Sequence, residues 1–234
     1  MEEKITGKRH PLSILADEAY QTFSEMGFEI ALGPEIETEW YNFDVLNVPK
    51  DHPARDMQDT FWIKNQKDKV LRKFCTSVSA REIKKAVKEN RLPCAFVSIG
   101  KVFRNEATDA THEMQFHQID GVMIGENISA TNMKAVLSNF YKKMLGEKTY
   151  IEFRPSFFPF TEPSFEVFVK FNNKWLEMGG SGMLHPNVLR SVGIDPEKYQ
   201  GFAWGHGFDR IAMVKWGIPD VRLFYQGDLR LNQF

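Results

Sequence analysis

Apolar residues recur at helical spacing near the start of the chain, at Leu12, Leu15, Ala16, Ala19, Phe23 and Met26. Pro11 suits the first helical position and Gly27 the stop, so the pattern predicts a helix between them. Ser79 and Glu82 have the spacing of a capping box and predict a second helix running toward Asn90. A third is predicted from Ser129, with Met133, Val136, Leu137, Phe140, Tyr141 and Met144 on one face. Elsewhere the pattern is that of strands. Phe96, Val97 and Ile99, bounded by turn signals at Pro93 and Gly100, predict one strand. Phe116, Ile119 and Val122 predict the next, and the polar stretch between makes the pair a hairpin with a long tip. Phe165 to Phe171 reads as a strand and Trp175 to Met178 as its partner, with Asn172 and Asn173 in the turn. The expected class is α+β: a mostly antiparallel sheet flanked by helices.

Composition narrows the picture modestly. The 234 residues include no linker-like tract or repeat, which predicts a single domain over residues 1–234. Hydrophobic residues make up 42%, enough for a substantial core, and the formal charge of −1 gives no global nucleic-acid signal. Cys75 and Cys94 are the only cysteines, which fits a reduced, cytoplasmic protein without structural zinc. No apolar run is long enough to cross a bilayer, so no membrane partner is expected.

Two stretches carry chemistry. In Gly201-Phe202-Ala203-Trp204-Gly205-His206-Gly207-Phe208-Asp209-Arg210, glycines recur and an arginine follows as a helical pattern begins. Glycine lets backbone approach a ligand closely, and arginine offers a donor fork suited to phosphate oxygens. Tightly crossing strands produce such repeats too. The second stretch is the hairpin, with Phe103-Arg104-Asn105-Glu106 on its first arm, His112 on its tip and Phe116-His117-Gln118-Ile119-Asp120 on its second arm. A strand can aim a guanidinium rigidly at a ligand; a surface salt bridge is the alternative role for Arg104.

In this order the two stretches resemble motifs 2 and 3 of class II aminoacyl-tRNA synthetases, with Asp209 where glutamate is more usual. The detail is most similar to the α subunits of bacterial-type phenylalanyl-tRNA synthetases. The resemblance extends through Gly33-Pro34-Glu35, His52-Pro53-Ala54-Arg55-Asp56, Phe158-Pro159-Phe160-Thr161-Glu162-Pro163, Trp175-Leu176-Glu177 and Asp228-Leu229-Arg230. It implies the class II synthetase fold. It places the helix from Leu12 and a strand near Gly33-Pro34 in motif 1, at a subunit interface. It also implies ATP-dependent activation of phenylalanine or a similar amino acid, followed by transfer to tRNA. The partners implied are ATP, an amino acid, tRNA, and a β subunit or a second copy joined through motif 1.

By resemblance, Arg104 holds the α-phosphate of ATP and Arg210 the γ-phosphate, and both are catalytic. Phe116 stacks on adenine, Glu106 and His112 lie along the nucleotide, and Gly205 and Gly207 form its floor. Magnesium bridges phosphates, with Glu177 a candidate ligand. The amino-acid site implied is Trp62, Cys75, Ser77, Gln118, Asp120, Phe158, Phe160, Ala203 and Gly205. Independently, Phe158 and Phe160 share a face if the chain there is extended, where they can contact a third ring or serve as core.

The chain departs from the family in three places. Cys75 stands where the family has a histidine that helps hold the substrate's polar end, and Asp120 stands for a glutamate facing the α-amino group. The N-terminal tRNA-reaching arm usual in the family is not in this sequence, so either a cut chain or a stand-alone paralogue is expected. Arg81, Lys84, Lys85, Lys88 and Arg91 form a basic face that meets a tRNA end or solvent. Two alternatives therefore remain open: a paralogue with another amino acid or a non-tRNA acceptor, and a non-catalytic amino-acid- or nucleotide-binding module.

Overall fold

The structure, a computed structural model, describes residues 7–56, 59–105, 107–171, 173–229 and 231. Glu106, Asn172 and Arg230 lie outside the described residues. Helix α1 (Pro11–Glu25) starts with Pro11 at its first position, and the His10 side chain accepts from the Leu12 N–H. The chain leaves it through Gly27 at φ +86°, the left-handed conformation glycine adopts without a Cβ clash. Strand β1 (Glu29–Ile30), strand β2 (Ile36–Thr38), the short helix α2 (Glu39–Asn42) and strand β3 (Lys69–Leu71) follow. Gly33 and Pro34 lie between β1 and β2 rather than in a strand. Next come α3 (Thr76–Lys88), β4 (Cys94–Phe103), β5 (Gln115–Gly125), α4 (Ala130–Leu145), β6 (Ile151–Phe158), β7 (Thr161–Phe171), β8 (Lys174–Leu184), α5 (Pro186–Ser191), β9 (Gln200–Gly207) and α6 (Phe208–Trp216).

Seven strands form one sheet in the order β1-β4-β5-β9-β8-β7-β6, antiparallel except for β1 against β4. The α+β expectation therefore holds. Helices α1, α4 and α6 cover one face. Phe23 of α1 stacks on Phe140 of α4 at 4.8 Å and on Trp204 of β9 at 5.3 Å, and all three rings are buried. Each such burial contributes about 1.5–3 kcal/mol. Helix α4 begins at Ser129 with a capping box completed by Asn132. A second apolar cluster joins α3 and α5 to the part of the other face near β4, β5 and β9, and leaves the rest of that face open.

Two sequence expectations fail locally. Helix α3 begins at Thr76, not at Ser79; the Ser79 hydroxyl donates instead to Asp120 Oδ1. Gly100 is not a turn but lies inside β4, where a Cβ would fall 2.1 Å from Arg72 Nη2. The buried Arg72 donates to the carbonyls of Lys101, Gly33 and Pro34, pinning the chain before β2 to the sheet. The basic residues of α3 and the turn after it are partly engaged within the chain, while Lys85 and Lys88 stay exposed. Arg81 pairs with the buried Glu37 and covers Tyr41 at 4.0 Å, Lys84 covers Trp40 at 4.4 Å, and Arg91 pairs with Glu29 and Glu89. Among the described residues, no helix is long and apolar enough to cross a membrane.

Candidate active site

A cavity of about 640 Å³ opens on the exposed face of the sheet. Its floor follows from register. Asp120 of β5 lies opposite Gly205 of β9, Gly205 opposite Gly180 of β8, and Gly180 opposite Glu166 of β7. Two adjacent glycines leave a stretch of sheet without side chains. A Cβ at Gly180 would fall 2.7 Å from the Phe158 ring. Beside this row, Gly179 has φ +147° and a Cβ there would strike Gly205 O at 2.3 Å. The register shifts here, between Val167 opposite Gly179 and Phe168 opposite Glu177; the bulge sets Glu177 and Met178 at the cavity wall.

The two arginines lie on this cavity. Arg104 follows directly on β4, its N–H bonded to Met114 O at 2.9 Å, and its guanidinium sits 4.9 Å from the centre of the Phe116 ring. Arg210, in the first turn of α6, donates through Nη1 to the Glu177 carbonyl at 2.9 Å. Behind it, the Asp209 carboxylate accepts from the Tyr225 hydroxyl and faces the His117 N–H at 3.3 Å; His117 Nδ1 in turn meets Tyr225 at 3.0 Å. This network ties the strand bearing Phe116 and Gln118 to the helix bearing Arg210. On the hairpin tip, His112 is oriented by Asp109, whose carboxyl is held well below its ordinary range by the Thr111 N–H and by His112. The Val221 N–H donates to Ala110 O, joining the tip to the C-terminal segment.

At the other end, Phe158 and Phe160 stack in parallel at 5.7 Å and Phe74 lies 6.4 Å from Phe160. Asn47 donates to Pro159 O at 2.7 Å and fixes their turn. Ala203 completes the wall.

Most residues expected at the site therefore share one cavity: Arg104, His112, Phe116, Gln118, Asp120, Phe158, Phe160, Glu177, Ala203, Gly205, Gly207 and Arg210 all line it. Three do not. Cys75 is fully buried, and its thiol points to the carbonyls of Gly100 and Gln118; burial raises it to about 12. A thiol so placed is neither nucleophile nor substrate contact. Ser77 is buried and donates to Phe74 O, and Trp62 pairs with Val70. What Cys75 does offer is its backbone N–H, bonded to Gln118 Oε1 at 2.8 Å.

Sequence reading missed Thr76, Phe74 and Glu166 as lining residues. The Thr76-Ser77 match was the available signal for Thr76; Phe74 and Glu166 became visible only through strand register and packing. Asp120 is fully buried, with Thr76 Oγ1 2.6 Å from Oδ2 and Ser79 on Oδ1. Burial lifts its carboxyl to about 7, against the lowering effect of both hydroxyls and Arg72.

A glycine floor between two arginines is what motifs 2 and 3 were expected to build, and the separate Phe158–Phe160 segment supplies the aromatic end. All 234 residues match the family of class II tRNA synthetase core domains, type F. The chain belongs to that class II synthetase family. It is 47% identical to the phenylalanine–tRNA ligase alpha subunit of Bacillus pumilus, over 97% of this chain and 68% of that one. It is 48% identical to the subunit of the same name from Anoxybacillus flavithermus and 46% identical to that from Caldanaerobacter subterraneus, each over 97% of this chain and 69% of theirs. As a class II synthetase core, the domain is of the kind that activates an amino acid with ATP and charges tRNA.

Proposed function

We propose that this chain, acting as a single catalytic domain, activates phenylalanine or a closely similar aromatic acid with ATP and transfers the acyl group to tRNA. The observation that carries this reading is one cavity with an arginine on each side of a side-chain-free floor and three phenyl rings at one end. In activation, a carboxylate oxygen attacks the α-phosphorus and pyrophosphate leaves. Negative charge grows on the phosphorus-bound oxygens and the leaving group, where fixed cations stabilise it without reorganising. Arg104 serves the α-phosphate and Arg210 the γ-phosphate. Phe116 takes the adenine, with Glu106 and His112 along the nucleotide. Gly205 and Gly207 allow close approach, and Phe158, Phe160 and Ala203 receive the substrate ring. Gln118 and Asp120 meet the polar end; Trp62, Cys75 and Ser77 support the wall from behind.

No cluster of three or more His, Cys, Asp or Glu among the described residues is arranged to hold a metal. Glu177 on the cavity wall offers the oxygen donors that magnesium favours, and phosphate oxygens supply the remainder. When bound, magnesium neutralises phosphate charge. The relatives' names motivate a β subunit as partner, with a second copy as the other possibility. The exposed Ile30, Leu32 and Ile36, in and beside β1 and β2, support an interface there. We place the protein in the cytoplasm, where tRNA is charged.

The test is amino-acid-dependent pyrophosphate exchange by the purified chain with ATP and magnesium. Arg104→Ala and Arg210→Ala should each lower kcat by about 10²–10³. Exchange unchanged in both variants refutes the assigned roles.

A further inference from the structure

The aromatic end of the cavity is assembled from two segments far apart in the chain, and one side chain joins them. Phe158 and Phe160 bracket Pro159. The Phe158 N–H donates to Ser164 Oγ of β7 at 3.1 Å, and the Phe160 carbonyl accepts from the N–H of His185, just after β8, at 3.0 Å. The carbonyl between the two rings, that of Pro159, is bound from elsewhere. It accepts from Asn47 Nδ2 at 2.7 Å, across 112 residues of chain.

Asn47 belongs to the loop that walls this end of the cavity. It closes the single helical turn Asp44–Leu46 in the left-handed conformation, at φ +56°, which asparagine tolerates better than most residues. Arg55 holds the loop around it. Its buried guanidinium donates to the carbonyls of Val48 and Pro49 and pairs with Glu39 and Asp44. Val48, His52 and Ala54 of the same loop line the cavity, whereas Asn47 stands behind the lining.

The Asn47 amide can be turned only one way. A carbonyl only accepts, so the NH2 group faces Pro159, and Oδ1 accepts from Asn187 Nδ2 at 3.2 Å. Asn187 Oδ1 accepts in turn from Arg190 Nη1 at 3.2 Å, and a guanidinium only donates. Donors therefore run in one direction, from α5 through Asn47 to the turn between the two rings. We infer that Asn47, oriented by Asn187, is a positioning residue for aromatic recognition: it sets the offset and tilt at which Phe158 and Phe160 meet the substrate ring. The inference rests on the activation reading above and deepens it. The two rings lie within 7° of parallel at 5.7 Å, and a third ring gains from them only at particular offsets and tilts. ATP is met by Arg104, Phe116 and Arg210 on other elements, so the effect falls on one substrate.

The experiment is pyrophosphate exchange by the full chain, with KM measured separately for phenylalanine and ATP. Asn47→Gly keeps the left-handed backbone and deletes the amide. It should raise KM for phenylalanine by about tenfold and leave kcat and KM for ATP within about twofold. Asn47→Asp keeps the shape but sets a carboxylate against a carbonyl, and should raise KM for phenylalanine at least as much. The more exposed change Asn187→Ala should raise it about threefold alone and not further in the Asn47→Gly background. Preference for phenylalanine over cyclohexylalanine, which fills similar space without a π-face, should fall about threefold or more in Asn47→Gly. An unchanged KM for phenylalanine, equal rises for both substrates, an Asn47→Asp variant that behaves as wild type, or an unchanged preference overturns the inference. Exchange absent from the wild type refutes the activation reading instead. Calorimetric titration with phenylalanine then decides the inference: about tenfold weaker binding to Asn47→Gly supports it, and equal binding, or none to the wild type, overturns it.

Discussion

His206 and Asp120 are both fully buried, and burial moves them in opposite directions: His206 from 6.5 down to about 3, Asp120 from 3.8 up to about 7. Each shift is worth about 1.4 kcal/mol per unit, or roughly 4–5 kcal/mol in all. The signs follow from proton counts. The unfolded chain protonates His206 below about 6.5 while the folded one does not until about 3, so this group makes stability fall as pH falls. The folded chain keeps the Asp120 proton up to about 7 while the unfolded one loses it near 4, so this group makes stability fall as pH rises. Between about pH 4 and 6.5 the two slopes cancel. Removing either group exposes the other. Asp120→Asn should lose about 3 kcal/mol, relative to wild type, on going from pH 6.5 to 4.5, and His206→Met should gain about 3 kcal/mol over the same interval. Urea denaturation followed by tryptophan fluorescence at the two pH values measures this, and the remaining carboxylates drop out because each variant is compared with wild type. Curves for both variants that run parallel to wild type within about 1 kcal/mol refute the reasoning.

Two further predictions concern packing and the nucleotide side. A Cβ at Gly121 would lie 2.1 Å from the buried Trp204 ring, so Gly121→Ala should destabilise by about 1–3 kcal/mol or more, read from the denaturation midpoint; an unchanged midpoint means the ring yields freely. Tyr225→Phe removes the hydroxyl shared by Asp209 and His117 and should cost about 1.5–3 kcal/mol in stability. It should also raise KM for ATP while leaving KM for the acid substrate unchanged; equal effects on both substrates place the network's influence elsewhere.

How much of this was legible beforehand depended on where each side chain finds its partner. Helices α1 and α4 follow from spacing and caps because their signals are local: Pro11, Gly27, Ser129 and an apolar stripe. The start of α3 was misread because the Ser79 hydroxyl has a tertiary partner, Asp120, that no local pattern reveals. Gly100 looked like a turn because the sequence does not show Arg72 filling the space a side chain would need. At the site, Arg104, Arg210 and the phenyl pair were legible from motif chemistry. Cys75 was placed at the substrate from its position in a motif, whereas the fold turns its thiol away and uses its backbone. The glycine row was half visible: Gly205 stood out in its repeat, but only strand order sets it beside Gly180.

That order also governs how the protein is made. Strand β9, the last strand among the described residues, lies between β5 and β8, so the sheet has no continuous middle until residues 200–207 arrive. A chain emerging from the ribosome can pair β4 with β5 and fold the meander β6-β7-β8, but these remain two separate half-sheets with exposed inner edges, open to unwanted strand pairing. The phenyl pair and the hairpin arginine belong to opposite halves. Residues 200–207 must be in place before the two can act on one substrate.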